Sequence, residues 1–350
     1  MNLKKYHKKG LIGLENLGNT CFLNSCVQII SNMYELNDYL DSKKYFQHIK
    51  TNIPEYIIIN EWNELREIMW SNNGIVSPKK FVHNVQKIAK EKNTNIFTGW
   101  AQNDLPEFLQ FFIECLHNSI SRSVSITING VAENKMDKLA FQCYEMLKNS
   151  YSQEYSEIME MFYGITFSEL VSLTTNERLS VVPESFFILN LPIANNKVAA
   201  TNLYECFDLY IEPDYLEGEN AWYNDITKTK EDVKKRYSFW SFPSIVVIAL
   251  KRFSPDGQNK MNNSITFPLN DLDLSKYVEG YNSSSYVYDL FGVCNHNGDV
   301  SGGHYTCFVK NTQDKWNHFN DHIIEKVEDP QMIISSSAYC LFYRKKNNLL

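Results

Sequence analysis

Along the first 160 residues the apolar positions recur at helical spacing. Phe22, Cys26, Ile29, Ile30 and Met33 form one stripe on a helix from Thr20 to about Met33. Asn19 or Thr20 can cap its start, which puts Cys21 in the first turn. Residues 54–70 carry Ile57, Ile58, Trp62, Leu65 and Met69 at the same spacing. Residues 77–91 open on Ser77-Pro78, a cap followed by proline at the first helical position. Residues 104–119 carry Phe108, Phe111, Phe112, Cys115 and Leu116, and a fifth helix is predicted over roughly 136–161. After about residue 165 the pattern changes. Phe186–Ile193, Ser244–Phe253, Ser285–Cys294, His304–Lys310, Trp316–Phe319 and Ala338–Arg344 are short segments rich in β-branched and aromatic residues. Turn-rich stretches such as NHNGDVSGG and SPDGQNKMNN separate them. Residues 212–237 are acidic, then basic, and poor in core residues, which predicts an exposed excursion or hairpin tip. Helices followed by antiparallel strands predict an α+β fold.

Composition narrows the classes. The 350 residues suffice for two or three substructures or one large one, and 43% hydrophobic content excludes a chain disordered throughout. With 41 acidic against 34 basic side chains the net charge is −7, which argues against nucleic-acid binding as the main task and favours a basic partner. No apolar run approaches the ~18 residues of a membrane span. The basic N-terminus MNLKKYHKKG is followed only by the short stretch Leu11–Leu14, so a signal peptide is not expected. Eight cysteines, at 21, 26, 115, 143, 206, 294, 307 and 340, contain no C-x-x-C pair. They are expected as free thiols in a reducing compartment, most of them packed as small hydrophobes.

One cysteine stands apart. In GLENLGNTCFLNS, glycines at 13 and 18 and the Asn19-Thr20 cap place the Cys21 thiol at a helix N-terminus. There the dipole and unpaired N–H groups favour a thiolate, and backbone amides can hold an oxyanion. Asn16, five residues upstream, is close enough to add a side-chain donor. A thiol nucleophile needs an imidazole, and the imidazole an orienting acceptor. In SGGHYTCFVKNTQDKWNHFND, His304 opens a strand after a glycine pair, where backbone can approach a substrate closely. Asn320 and Asp321 follow on the neighbouring strand, and period-2 alternation lets only one of them orient His304. A metal site built from Cys294, His296, His304, His318 and His322 is the competing chemistry, but their spacing matches no compact ligand motif.

These segments resemble the ubiquitin-specific proteases, papain-like cysteine peptidases that remove ubiquitin. GLENLGNTCFLNSCVQ (13–28) is similar to the family's Cys box, and GGHYTCFVKN…W…FND (302–321) to its His box. QNDLPEFL (102–109) is similar to the Gln-Asp box, and LKRF (250–253) followed by FP (267–268) to a late palm strand. The resemblance implies a papain-like fold with a helical thumb (10–160), β fingers (161–243) and a β-rich palm (244–350) within one catalytic domain. It implies Cys21 as nucleophile, His304 as general base and acid, Asn320 as the third triad member, Asn16 as oxyanion donor and Asp321 as support. Gln102, Asp104, Glu107, Phe253, Ser301, Gly302, Gly303 and Tyr305 would contact substrate, the glycines and Tyr305 lining a channel for ubiquitin's diglycine end.

Asp104 and Glu107 also fit a capping box at the start of their helix, and a mixture is favoured, with at least one acid on ubiquitin's basic tail. Many family members hold a structural zinc with two C-x-x-C pairs in the fingers; here residues 165–240 contain only Cys206, so fingers without zinc are expected. Neither a metal nor a cofactor is implied. The expected partners are ubiquitin and ubiquitinated proteins, not nucleic acid or membrane, and the expected state is a monomer. A catalytically weak ubiquitin-binding module and a protease for another ubiquitin-like modifier are the alternatives. With twelve residues before the Cys box, no N-terminal regulatory domain is expected. The use of Asn, Lys and Ile suggests an AT-rich genome, viral or protist; the expected location is cytoplasm or nucleus, the host's if viral.

Overall fold

The apolar run Ile245–Leu250 serves two cores at once. In the computed structural model Ile245, Val247 and Ala249 face one hydrophobic cluster, and Val246, Ile248 and Leu250 face a second. An unbroken apolar run is what a strand covered on both faces requires. The structure describes residues 3–346 except 72, 95, 98–100, 255–257, 300 and 301.

The helices are α1 (Cys21–Ser31), α2 (Tyr34–Asp41), α3 (Tyr56–Ser71), α4 (Lys79–Glu91), α5 (Leu105–Ile120), α6 (Lys135–Tyr151), α7 (Glu157–Phe162) and α8 (Leu203–Tyr210). The spacing predicts one helix over 136–161, and the structure divides it. Tyr155 leaves the helical path to exchange backbone hydrogen bonds with Arg122, at 2.8 and 2.9 Å. The capping box of this region is Asn134/Asp137, at the start of α6.

Strands β1 (Ile12–Leu14) and β2 (Gly74–Val76) pair with each other in the helical half. β3 (Gly164–Ser172), β4 (Arg178–Phe186) and β5 (Ile188–Pro192) follow. Residues 212–241 hold β6 (Asp214–Leu216), β7 (Trp222–Asn224), β8 (Thr229–Glu231) and β9 (Val233–Ser241). β10 (Ile245–Lys251), β11 (Leu272–Asp273) and β12 (Val287–Gly298) lead to β13 (Gly303–Lys310), β14 (Trp316–Asn320), β15 (Ile323–Lys326) and β16 (Ala338–Lys345).

Eight strands form the main sheet, in the order β15-β14-β13-β12-β16-β10-β5 with β11 beside β12. Its pairs are antiparallel except β5–β10, which is parallel, and β1–β2 is parallel as well. The wholly antiparallel expectation fails there because the 193–244 crossover, which carries α8 and β6–β9, returns the chain in its original direction. All of α1 is buried against the sheet. Gly292 makes room for it: a Cβ there would lie 3.0 Å from Ile29 Cγ2.

A second sheet, β4-β3-β9-β6, projects from this body with the β7–β8 hairpin at its tip. The 212–237 stretch is thus a hairpin tip in part, but its last residues belong to β9, where Val233 is fully buried. α6 packs on the base of this sheet through Leu139, Ala140 and Cys143 against Ile165, Phe167 and Trp240. Glu169, buried on β3, forms ion pairs with Arg178 and Arg236, which also reach Glu279 at 3.3 and 3.1 Å. A charge so deeply buried is tolerated only when paired.

At one end of the main sheet four strand termini converge. Register places Asn297 beside His304, and Asn320 beside Ile323. α1 delivers Cys21 to this end.

Candidate active site

Thr20 occupies the cap position of α1, but its hydroxyl does not cap the helix. It accepts the Leu17 N–H at 2.9 Å and lies 3.3 Å from Asn16 Oδ1. Asn16 Oδ1 also accepts the amides of Gly18 (3.0 Å) and Thr20 (3.3 Å). The turn needs left-handed backbone at Gly18 (φ 97°) and Asn19 (φ 51°), and glycine and asparagine suit it. With the side chains engaged upstream, the first-turn amides of α1 stay turned toward the thiol. Burial raises the Cys21 thiol pKa, and the Asp321 carboxylate adds to this. The amides of Tyr305, Phe22 and Cys21 itself oppose the shift. Burial outweighs these amides, so the Cys21 thiol is raised toward its protonated form, where the expectation at a helix start is a thiolate.

His304 opens β13, half-buried, and its Nε2 lies 2.7 Å from Asn320 Oδ1 at the end of β14. Asn320 accepts, so Nε2 carries the proton of the neutral ring and Nδ1 remains an acceptor. The Tyr305 amide, next in the chain to His304, reaches the Cys21 thiol; α1 and β13 thus bring the two reactive residues to one place.

Alternation does not govern Asp321, which lies beyond β14 in left-handed conformation (φ 50°). Its carboxylate accepts from Asn16 Nδ2 at 3.0 Å and from Asn24 Nδ2 at 2.8 Å, and its carbonyl accepts the Leu14 amide at 2.9 Å. Asp321 is a clamp joining the Cys21 turn to the β14–β15 turn. Gly13 is part of the same fit: a Cβ there would lie 2.3 Å from the His322 carbonyl oxygen. Asn24, which motif reading did not single out, belongs to the same hydrogen-bonded cluster. The available signal was its place in a polar line with Gln28 and Ser31 at helical spacing, beside the apolar stripe.

On the other side of His304 the sequence candidates separate. Gln102 Oε1 accepts the Gly303 amide at 2.6 Å. Gly302 has φ 156°, and a Cβ there would meet Gln102 Oε1 at 2.7 Å, so both glycines are fixed by close approach. Asp104 precedes α5 but makes no side-chain cap hydrogen bond, which removes the capping-box explanation. Its oxygens accept instead from Tyr305 (3.0 Å) and Tyr339 (2.9 Å). Burial raises the Asp104 pKa despite those bonds. Glu107 is exposed one turn later, its carboxyl raised by partial desolvation and by Asp104. Phe253 packs against His296 and Tyr339 with ring centroids 5.6 and 5.8 Å apart. His296 is buried beneath Gly303, and desolvation with the nearby Lys260 lowers its pKa to about 4, so it stays neutral. Ser301 lies outside the described residues.

The metal alternative finds no support in placement. Cys294 is fully buried, His304 is engaged by Asn320, and His318 sits beside Glu325 at 3.4 Å. Among the described residues no group of three His, Cys, Asp or Glu side chains could hold a metal ion. The turns at 171–174 and 222–225 hold no cysteine, and side chains bond the backbone there. Ser172 Oγ accepts the amides of Thr174 and Thr175 at 3.2 and 3.1 Å. Asn224 accepts the Ile226 amide at 2.9 Å and donates to Glu231 at 2.8 Å.

A family model described as ubiquitin carboxyl-terminal hydrolase matches residues 12–343. Human ubiquitin carboxyl-terminal hydrolase 2 is 33% identical over 343 residues, covering 96% of this chain and 55% of that protein. The Usp2 enzyme of Drosophila melanogaster is 33% identical over 344 residues, covering 96% of this chain and 35% of that protein. The chain thus spans about a third to a half of these relatives' length. The fold matches Ubp8 in the SAGA Ubp8/Sgf11/Sus1/Sgf73 DUB module bound to ubiquitin aldehyde, with a TM-score of 0.71 at 22% identity over 98% of this chain and 71% of that one. That match makes the helical half, the main sheet and the projecting sheet the thumb, palm and fingers of a papain-like architecture. The chain belongs to the ubiquitin carboxyl-terminal hydrolase family.

Proposed function

We propose that this chain is a thiol-dependent deubiquitinase that hydrolyses the isopeptide or peptide bond at the C-terminal glycine of ubiquitin. The observation that carries the reading is the His304–Asn320 pair at 2.7 Å, on the strand whose Tyr305 amide reaches the Cys21 thiol. Because burial holds that thiol protonated, His304 Nδ1 must take its proton as sulfur attacks the glycine carbonyl. Asn320 keeps the ring in the tautomer that can do so. The oxyanion is received by the first-turn amides of α1 and by the second N–H of Asn16, whose first is held by Asp321. His304 then passes its proton to the leaving amine. Water, deprotonated by His304, cleaves the thioester and releases the ubiquitin carboxylate and the Cys21 thiol.

Ubiquitin's diglycine end enters between Gln102, Gly302, Gly303 and Tyr305, and Ser301, next in sequence to Gly302, is a further substrate contact. Phe253 and His296 support this channel from below. Glu107 is the acid that meets the basic tail, while Asp104 holds the Tyr305 ring in place. Residues 10–160, 161–243 and 244–350 act as thumb, fingers and palm, and the fingers grip ubiquitin without zinc. Eight free cysteines suit a reducing compartment.

Ubiquitin carrying a C-terminal electrophile tests the reading directly. Wild type should form a covalent adduct and Cys21→Ala should not. An adduct that persists in Cys21→Ala overturns the nucleophile, and an inert wild type points to a binding module or to another modifier.

A further inference from the structure

A cleft of about 690 Å³ runs along β15. Lys8, Lys9, Lys315 and Lys326 line it together with His322, and no aspartate or glutamate does. In a chain of net charge −7 this is a local inversion of sign. Lys326 is paired with Glu328 at 2.7 Å, whereas Lys8, Lys9 and Lys315 form no ion pair among the described residues. The floor is apolar, with Leu11, Ile75 and Ile324, and Ile75 is 59% exposed. β15 is the edge strand of the main sheet and, among the described residues, pairs only with β14.

His322 also lines a second, smaller pocket that holds Asn16, Asn320 and Asp321. The basic cleft and the cluster around Asn320 thus adjoin at His322. Across the sheet end the order is β12, β13, β14, β15, so His304 separates the glycine channel from this cleft. If ubiquitin's tail fills the channel, as proposed above, the leaving protein departs on the β14–β15 side.

We propose that this cleft docks an extended acidic segment of the protein being released from ubiquitin, next to its modified lysine. The inference rests on the deubiquitinase reading for its direction. The shape argues for a peptide, because the cleft is far larger than a lone phosphate and an edge strand accepts extended backbone. The apolar floor accommodates alternate side chains of such a segment, and the lysines meet its carboxylates. Nucleic acid fits less well, since the lining carries no Phe, Tyr or Trp on which a base could stack.

The test uses the full chain and two substrate sets. One is ubiquitin–dye. The other is ubiquitin joined through an isopeptide bond to the lysine of an Asp/Glu-rich, a neutral or a Lys/Arg-rich peptide. The acidic leaving peptide should be cleaved about tenfold faster than the basic one at low salt. The preference should collapse near 1 M salt, where the Debye length is about 3 Å. Combining Lys8→Glu, Lys9→Glu and Lys315→Glu should abolish the preference and leave ubiquitin–dye hydrolysis unchanged. Lys315→Gln alone, a milder change, should reduce it. Equal rates on all three peptides in wild type, or an undiminished preference in the triple variant, overturn the proposal. Fluorescence anisotropy with the free acidic peptide separates the two readings. Salt-sensitive binding without ubiquitin–dye hydrolysis would sink the enzyme and leave the cleft standing. Tighter binding of an oligonucleotide than of the acidic peptide would overturn the peptide assignment.

Discussion

The end of the palm that gathers Cys21, His304 and Asn320 and the tip of the fingers both hold tight turns with asparagine and serine or threonine side chains, but over different distances. At the catalytic end the bonds from Asp321 to Asn16 and Asn24 join residues 305 and 297 positions apart. At the tip, Asn224 contacts Ile226 and Glu231, two and seven positions away, and Ser172 contacts Thr174 and Thr175 within the same turn. Long-range bonds make the candidate site a property of the whole fold, because it exists only when thumb and palm are docked. Local bonds give the tip a geometry of its own, which can loosen without disturbing the chemistry.

The largest expected effect is at the catalytic end. Cys21→Ala should lower ubiquitin–dye hydrolysis by about 10⁴-fold or more, with an unchanged melting temperature. Because burial raises the Cys21 pKa, its alkylation by iodoacetamide should keep climbing as pH rises through about 8.5 and beyond. A plateau already reached at neutral pH would show a preformed thiolate instead.

Next comes the root of the fingers. Glu169→Ala leaves Arg178 and Arg236 without their buried partner, and should cost about 3–5 kcal/mol in chemical denaturation. Hydrogen exchange should place that loss in β3, β4 and β9; protection lost equally around α1 would erase the contrast between the two regions.

Asn320→Ala should reduce kcat by about 10²-fold, since the imidazole loses the acceptor that sets its tautomer. Asp321→Ala should cost less, acting only through Asn16 and Asn24; the reverse order would make the clamp, not the triad residue, the decisive one. The smallest effect belongs to the tip. Asn224→Ala should cost about 1 kcal/mol, and a strong chelator should change neither the melting curve nor the rate. A chelator-induced drop in melting temperature would reveal a metal in the fingers.

What the sequence made legible follows the same division. Cys21, His304 and Asn320 were readable because each box is a contiguous string whose glycines and turn residues are dictated by local backbone. The two helix stripes that became α1 and α5 were readable from period alone. The roles of Asp104 and Asp321 were not, because they depend on partners hundreds of positions away: Tyr305, Tyr339, Asn16 and Asn24. Capping-box logic misassigned Asp104 for the same reason, a tertiary tyrosine pair having won over a local amide. β4 escaped notice in the sequence because its exposed positions dilute the β-branched signal, and β9 because Lys234, Lys235 and Arg236 interrupt it. The parallel pair β5–β10 within the main sheet is a consequence of connectivity, which no local pattern records.

The eight thiols have a practical consequence. Cys21 is 6% exposed, and the other seven show no exposed surface. The native molecule should therefore titrate as a near-monothiol, and each additional equivalent of reagent consumed counts an element that has opened. Cys143, in the small cluster under the fingers, should react before Cys26, Cys294, Cys307 and Cys340, which lie together where α1 meets β12, β13 and β16. Read by mass spectrometry, the order of labelling becomes a clock of unfolding written into the chain without any added probe.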